Sequence, residues 1–187
     1  MIDYSIFDSF PVLESDRLLL RRLTLDDTDL MFTVYSDMRA NNFIGRDPVK
    51  SNQEIIDKIN LINDSFDNQD GISWAITLKP FDKYIGSIGL WKLFKEHHRA
   101  EIGYRLTYEL WNKGIMSEAI QLVTDFGFNK MKLHSIEANT DKDNIASHKV
   151  LEKNGFVKEA HLKENWFYNG VFLDSAIYCI INPNDNK

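Results

Sequence analysis

Apolar positions recur along this chain with two periods, and the switches between them mark out its elements. Alternation, or a short unbroken apolar run, predicts strands over residues 17–23 (RLLLRRL), 72–78 (ISWAITL) and 84–93 (YIGSIGLWKL). The signal returns over 100–106 (AEIGYRL) and 135–140 (SIEANT). From Phe156 onward it gives a strand, a loop at about 163–170 and a final strand over 171–181. Helical spacing fills the gaps. Leu30, Met31, Val34 and Tyr35 follow a Thr24–Asp27 capping box, and Ile55, Ile59, Ile62 and Phe66 follow a Ser51–Glu54 box. Ile115, Ala119, Leu122, Val123 and Phe126 form one face of a third helix. A fourth, capped by Asn144 or Asp143, turns Ala146, Val150 and Leu151 inward and ends before Gly155, where a left-handed cap is favoured.

Turn chemistry orders these pieces. Pro80 and Asp82 join two strands into a hairpin, and Asn169-Gly170 joins the last two. Residues 38–50 and 94–99 read as loops. Gly86 and Gly89 inside one strand mark a bulge or a close backbone approach. Residues 1–16 form an arm that packs Ile6, Phe7 and Phe10 on the body, and 182–187 form a polar tail. About seven strands and four helices result: an antiparallel meander, one β-α-β crossover, then a hairpin. That order predicts an α/β fold with a mixed, mostly antiparallel sheet and helices on both faces. A single domain over 1–187 is the expectation.

Composition removes several classes of function. A formal net charge of −6 argues against general nucleic-acid affinity, which needs clustered positive charge. It leans slightly towards a cationic amine, although ordinary solubility accounts for it better. The lone Cys179 sits in an apolar run, so a disulfide framework and a Cys-based metal site are both excluded. His97-His98 lacks the spaced partners of a metal site, so no metal is expected. Neither a signal segment nor a membrane-spanning run is evident, which gives a cytoplasmic expectation with no membrane partner. Phosphate-loop, dinucleotide and nucleophile-elbow motifs are missing.

The informative stretch is 100–117, where a strand feeds a connection carrying Lys113 and a helix opening at Gly114. Free N–H groups at a helix start, the helix dipole and a glycine together suit a phosphate. Around it, YIGSIGL (84–90), EIGYRL (101–106), WNKGIMSEA (111–119) and NIASHKVLEKNGF (144–156) stand in an order and spacing that resembles the GNAT superfamily of acetyl-CoA-dependent N-acetyltransferases. The wording is most similar to the RimJ/RimL-like branch, which acts on ribosomal-protein N-termini. The resemblance covers about residues 17–181.

It implies a central strand pair, 100–106 and 135–140, the first bulged and splayed from the second with the pantetheine arm of CoA in the gap. Tyr104, Arg105, Leu106 and Asn139 would border that arm, and Asn144 would contact it or cap its helix. The pyrophosphate would lie on the turn formed by Trp111, Asn112, Lys113, Gly114, Ile115, Met116 and Ser117. The superfamily signature there, Gln/Arg-x-x-Gly-x-Gly/Ala, keeps only its middle glycine, Gly114, so backbone N–H groups carry more of the contact. Ser147 is the expected donor to the leaving thiolate, and a backbone N–H near Leu106 the expected oxyanion donor. Glu101 is the first candidate for the base, with Arg99 or Arg105 as its structural partner; His97, His98 and Glu164 are alternatives. Tyr104 reads as a packing residue, and Trp74, Trp91 and Trp166 as an acceptor pocket or core. The acceptor would be a primary amine, on a protein N-terminus or a small molecule. Oligomeric state stays open, a homodimer being one option, and a CoA-binding sensor without catalysis is the competing reading.

Overall fold

A computed structural model describes residues 2–185 of the chain. The arm does pack on the body. Ile2 and Phe7 are buried, and Phe10 meets Phe66 and Trp74 at ring distances of 4.9 and 6.1 Å. It also supplies a short strand, β1 (Leu13–Glu14), that pairs with β2 (Leu18–Arg21). This raises the count to eight among the described residues; two residues are too few to show a period.

Thr24 and Asp27 form the expected capping box on a 3-10 turn that leads into α1 (Thr28–Ser36). Asp27 is buried, and both its oxygens accept from Arg21 at 2.8 Å. Removing one partner of a buried pair strands the other, which costs about 3 kcal/mol. Asp27→Ala should therefore lose about 3 kcal/mol in urea unfolding. Asn in its place should lose less, because it keeps an acceptor for the Thr24 N–H. A loss near zero for the alanine variant would show that Asp82, which also pairs with Arg21, suffices.

The segment after α1 is not wholly a loop. Asp37 accepts from the Arg39 N–H and starts a single turn, α2 (Met38–Asn41). Ser51 and Glu54 cap α3 (Asn52–Asp67) as expected, burying Ile55, Ile59 and Phe66. Then follow β3 (Ile72–Leu78), β4 (Tyr84–Phe94), β5 (Arg99–Leu106), α4 (Ile115–Asn129), β6 (Ser135–Asp141), α5 (Ile145–Lys153), β7 (Val157–Tyr168) and β8 (Val171–Ile181). Strand order is β1-β2-β3-β4-β5-β6-β8-β7, antiparallel except for β5 with β6.

Two apolar clusters cover the two faces. Trp74 and Ile76 belong to one, with α4, while Ala75 between them belongs to the other, with α1 and α3. The close approach expected at Gly86 and Gly89 is met by the Arg105 carbonyl and by Ser73. The bulge lies on β4 rather than on β5. Trp91 pairs with Glu101 and Phe94 with Arg99, so β4 carries the extra residue, with Lys92 at φ 48°.

Two further readings are corrected. Ala146 is exposed, and the buried residue of that turn of α5 is His148, packed on Tyr178 at 5.2 Å. Residues 163–168 continue β7 instead of forming a loop. They are held over the 43–50 segment, where the Trp166 indole donates to the Gly45 carbonyl (3.2 Å) and the Tyr168 hydroxyl to Asp47 (2.7 Å). The hairpin turn at Asn169-Gly170 is as expected, with φ of 49° and 80°.

Candidate active site

Strands β5 and β6 pair only at Arg99–Ser135, Ala100–Ile136 and Glu101–Glu137. Beyond that point they separate, and the β6-facing edge of residues 102–106 has no strand partner. The gap opens into a cleft of about 1280 Å³ that reaches both faces of the sheet.

At one end of the cleft stands the start of α4. Gly114 is its N-cap at φ 74°, and Asn112 before it is also left-handed at φ 58°. Trp111, Asn112, Gly114, Ile115, Met116 and Ser117 line the cleft; Lys113 does not, since its carbonyl turns back to accept from Arg17. Arg17, just before β2, also pairs with Glu118 and so braces this turn. Sequence reasoning did not find it, because nothing local links Arg17 to a turn 96 residues on. Lys149 and Lys153 of α5 line the cleft as well, and a plain solvated helix face gave no reason to select them.

In the middle of the cleft, Tyr104 and Ser147 meet, their hydroxyls 2.7 Å apart. Asn144 caps α5 by accepting from the Ser147 N–H (3.1 Å), which fixes the serine in the first turn. Asn139 and Asn144 line the same wall. Tyr104 is thus more than a packing residue. Desolvation, only partly offset by the Ser147 hydrogen bond, raises its phenol pKa above the ordinary value of 10. The phenol stays protonated at neutral pH and can donate.

The shift has a sign that can be checked. Folded Tyr104 keeps its proton where the unfolded chain, with a pKa of about 10, has lost it. Stability should therefore be full below about pH 10 and decline as pH rises above that. Tyr104→Phe should soften the decline; urea midpoints from about pH 9 to 11 would read it. Tyr84, raised for the same first reason, keeps the rest.

Across the sheet lie Glu101, Gly103 and Arg105, on the face that carries α1 and α3. Glu101 is 8% exposed. Its partners are Lys92 (2.7 Å) and the Trp91 indole (3.2 Å), not Arg99 or Arg105. Arg99 pairs instead with Glu137 across the parallel register, and Arg105 with Asn41. The Trp91 ring fills the space at Gly103, where a Cβ would overlap it. Trp91 and Trp166 line the cleft, whereas Trp74 is core, donating to the Pro11 carbonyl. His97, His98 and Glu164 do not line it; Glu164 turns its N–H to Asp174 instead.

A protein-family comparison matches residues 17–157 to the family described as Acetyltransferase (GNAT) domain. The chain belongs to the GNAT acetyltransferase family. It is an acetyl-transferring enzyme. The uncharacterised N-acetyltransferase YoaA of Bacillus subtilis (strain 168) is 35% identical over 176 residues, 94% of this chain and 99% of that protein. The spermidine N(1)-acetyltransferase of Escherichia coli (strain K12) is 30% identical over 95 residues, 51% of each chain. The crystal structure of a GNAT-family acetyltransferase from Bacillus anthracis matches with a TM-score of 0.82 at 27% identity, covering 92% of this chain and 99% of that one. GNAT enzymes use acetyl-CoA. In this acetyltransferase the parted strands, the helix start and the hydroxyl pair all border one cleft.

Proposed function

We propose that this acetyltransferase moves an acetyl group from acetyl-CoA to a primary amine, in the manner of the RimJ/RimL-like branch. The amine belongs to a protein N-terminus or a small molecule. The carrying observation is the parting of β5 from β6, with the Tyr104–Ser147 pair beside it.

Acetyl-CoA would supply the thioester. The residues that fit it are the unpartnered edge of 102–106 with Asn139 and Asn144 for the pantetheine, and the Asn112–Ser117 turn for the pyrophosphate. Anions are favoured at that turn by the free N–H groups and dipole of α4, with Lys149 and Lys153 adding charge. Lys113, which does not line the cleft, is left out of this set. Tyr104 and Ser147 hand a proton to the departing sulfur. Glu101, on the opposite face, takes the proton of the incoming amine through water. A backbone N–H near Leu106 steadies the oxyanion.

Thiol release from acetyl-CoA, followed with a panel of amines and N-terminal peptides, tests the reading. Turnover with at least one acceptor is expected. Calorimetric CoA binding with no turnover on any acceptor would make the chain a CoA-binding sensor instead.

A further inference from the structure

Three cations gather on the α1–α3 side of the cleft, none with a carboxylate partner among the described residues. Arg105 is half-buried; its guanidinium stands 4.0 Å from the centroid of the Tyr35 ring and donates to the Asn41 side-chain oxygen at 2.7 Å. Lys58 of α3 lies 5.4 Å from the same ring. Arg46, between α2 and α3, lines the cleft near both. Burial first, then Arg46 and Arg105, lowers the Lys58 pKa below its ordinary 10.5.

The Tyr35 ring positions Arg105 and Lys58, and a neutral amide also holds Arg105, but both charges stay uncompensated, an arrangement that burial makes unfavourable; Arg46 beside them is exposed. The neighbouring carboxylates are already engaged. Glu101 is held by Lys92 and Trp91, Asp47 by Tyr168, Glu54 by the start of α3, and Asp57, next to Lys58, by the Gln53 amide. The cluster is not the cofactor's phosphate site, because α4 packs on the opposite face. Arg105 shares its face with Glu101, four residues away along β5, a span of about 13 Å.

We propose that Arg105, Lys58 and Arg46 form a carboxylate subsite, so that the acceptor is an amine-bearing molecule that also carries a carboxylate. This rests on the acetyltransferase reading, with the amine presented near Glu101 and the carboxylate near Arg105. A guanidinium fork matches a carboxylate in two hydrogen bonds, and Lys58 adds charge without geometry. A polyamine would instead bring further positive charge against three cations.

Matched acceptors test it. Tripeptides with a free C-terminus are compared with their C-terminal amides, C-amidated tripeptides bearing Glu are compared with their Gln counterparts, and spermidine serves as a control. The wild-type chain should favour the carboxylate member by about a hundredfold in kcat/KM. Arg105→Gln and Lys58→Met should each cut that ratio about tenfold. Which pair shows the preference tells a terminal carboxylate from a side-chain one. Equal rates within every pair, or spermidine as the best acceptor, overturn the subsite. Calorimetric titration of the same pairs into CoA-saturated protein reads the subsite without turnover. Preferential binding of the carboxylate members with no turnover leaves the subsite standing and removes the acetyl-transfer reading alone; equal binding removes the subsite.

Discussion

Tyr104→Phe should lower kcat by about a hundredfold, with Ser147→Ala losing about tenfold. The ranking follows from the geometry. The phenol is the stronger acid of the two hydroxyls, its proton is held by desolvation, and it stands at the unpartnered edge of β5. General acids contribute about 10²–10⁴, and the lower end applies because Ser147 remains 2.7 Å away to donate in its place. The double variant should then lose more than the product of the single losses, since neither hydroxyl is left to stand in for the other. Full activity of Tyr104→Phe would return Tyr104 to a packing role. A larger loss for Ser147→Ala than for Tyr104→Phe would make the serine the immediate donor.

The fold was legible wherever a local signal carried it. The Ile115–Phe126 stripe, both capping boxes and Asn169-Gly170 each fix conformation through neighbours in sequence, and each stands where the pattern placed it. The misreadings arose where distant contacts decide. Residues 163–168 stay extended because Trp166 and Tyr168 are held by Gly45 and Asp47, which their own sequence does not reveal. His148 is buried because Asp141 and Tyr178 receive it.

The site divides the same way. The end proposed for the cofactor was readable, because the helix start at Gly114 is a local device. Its acceptor end was not. A β4 bulge brings Lys92 to Glu101, while α1 and α2 bring Tyr35 and Asn41 to Arg105. The net charge of −6 could not reveal it, because an average over the surface does not report three cations in one cleft.

Glu101→Gln should lower kcat/KM by about a hundredfold near neutral pH, and the deficit should shrink as pH rises. An α-amino group with a pKa of about 8 is roughly nine-tenths protonated at about pH 7, and must lose that proton before attack. The wild-type chain has a carboxylate on the acceptor face to receive it, whereas the glutamine variant depends on the free amine already in solution. That free fraction grows about tenfold between roughly pH 7 and 9, so the deficit should narrow by a comparable factor. Folding should change little. A glutamine oxygen can still accept from the Trp91 indole, and Lys92 is 59% exposed, so losing its ion pair costs well under about 1 kcal/mol. A deficit that holds constant across that pH range would mean that Glu101 is a strut positioning Trp91 over Gly103, and that the proton leaves by another route.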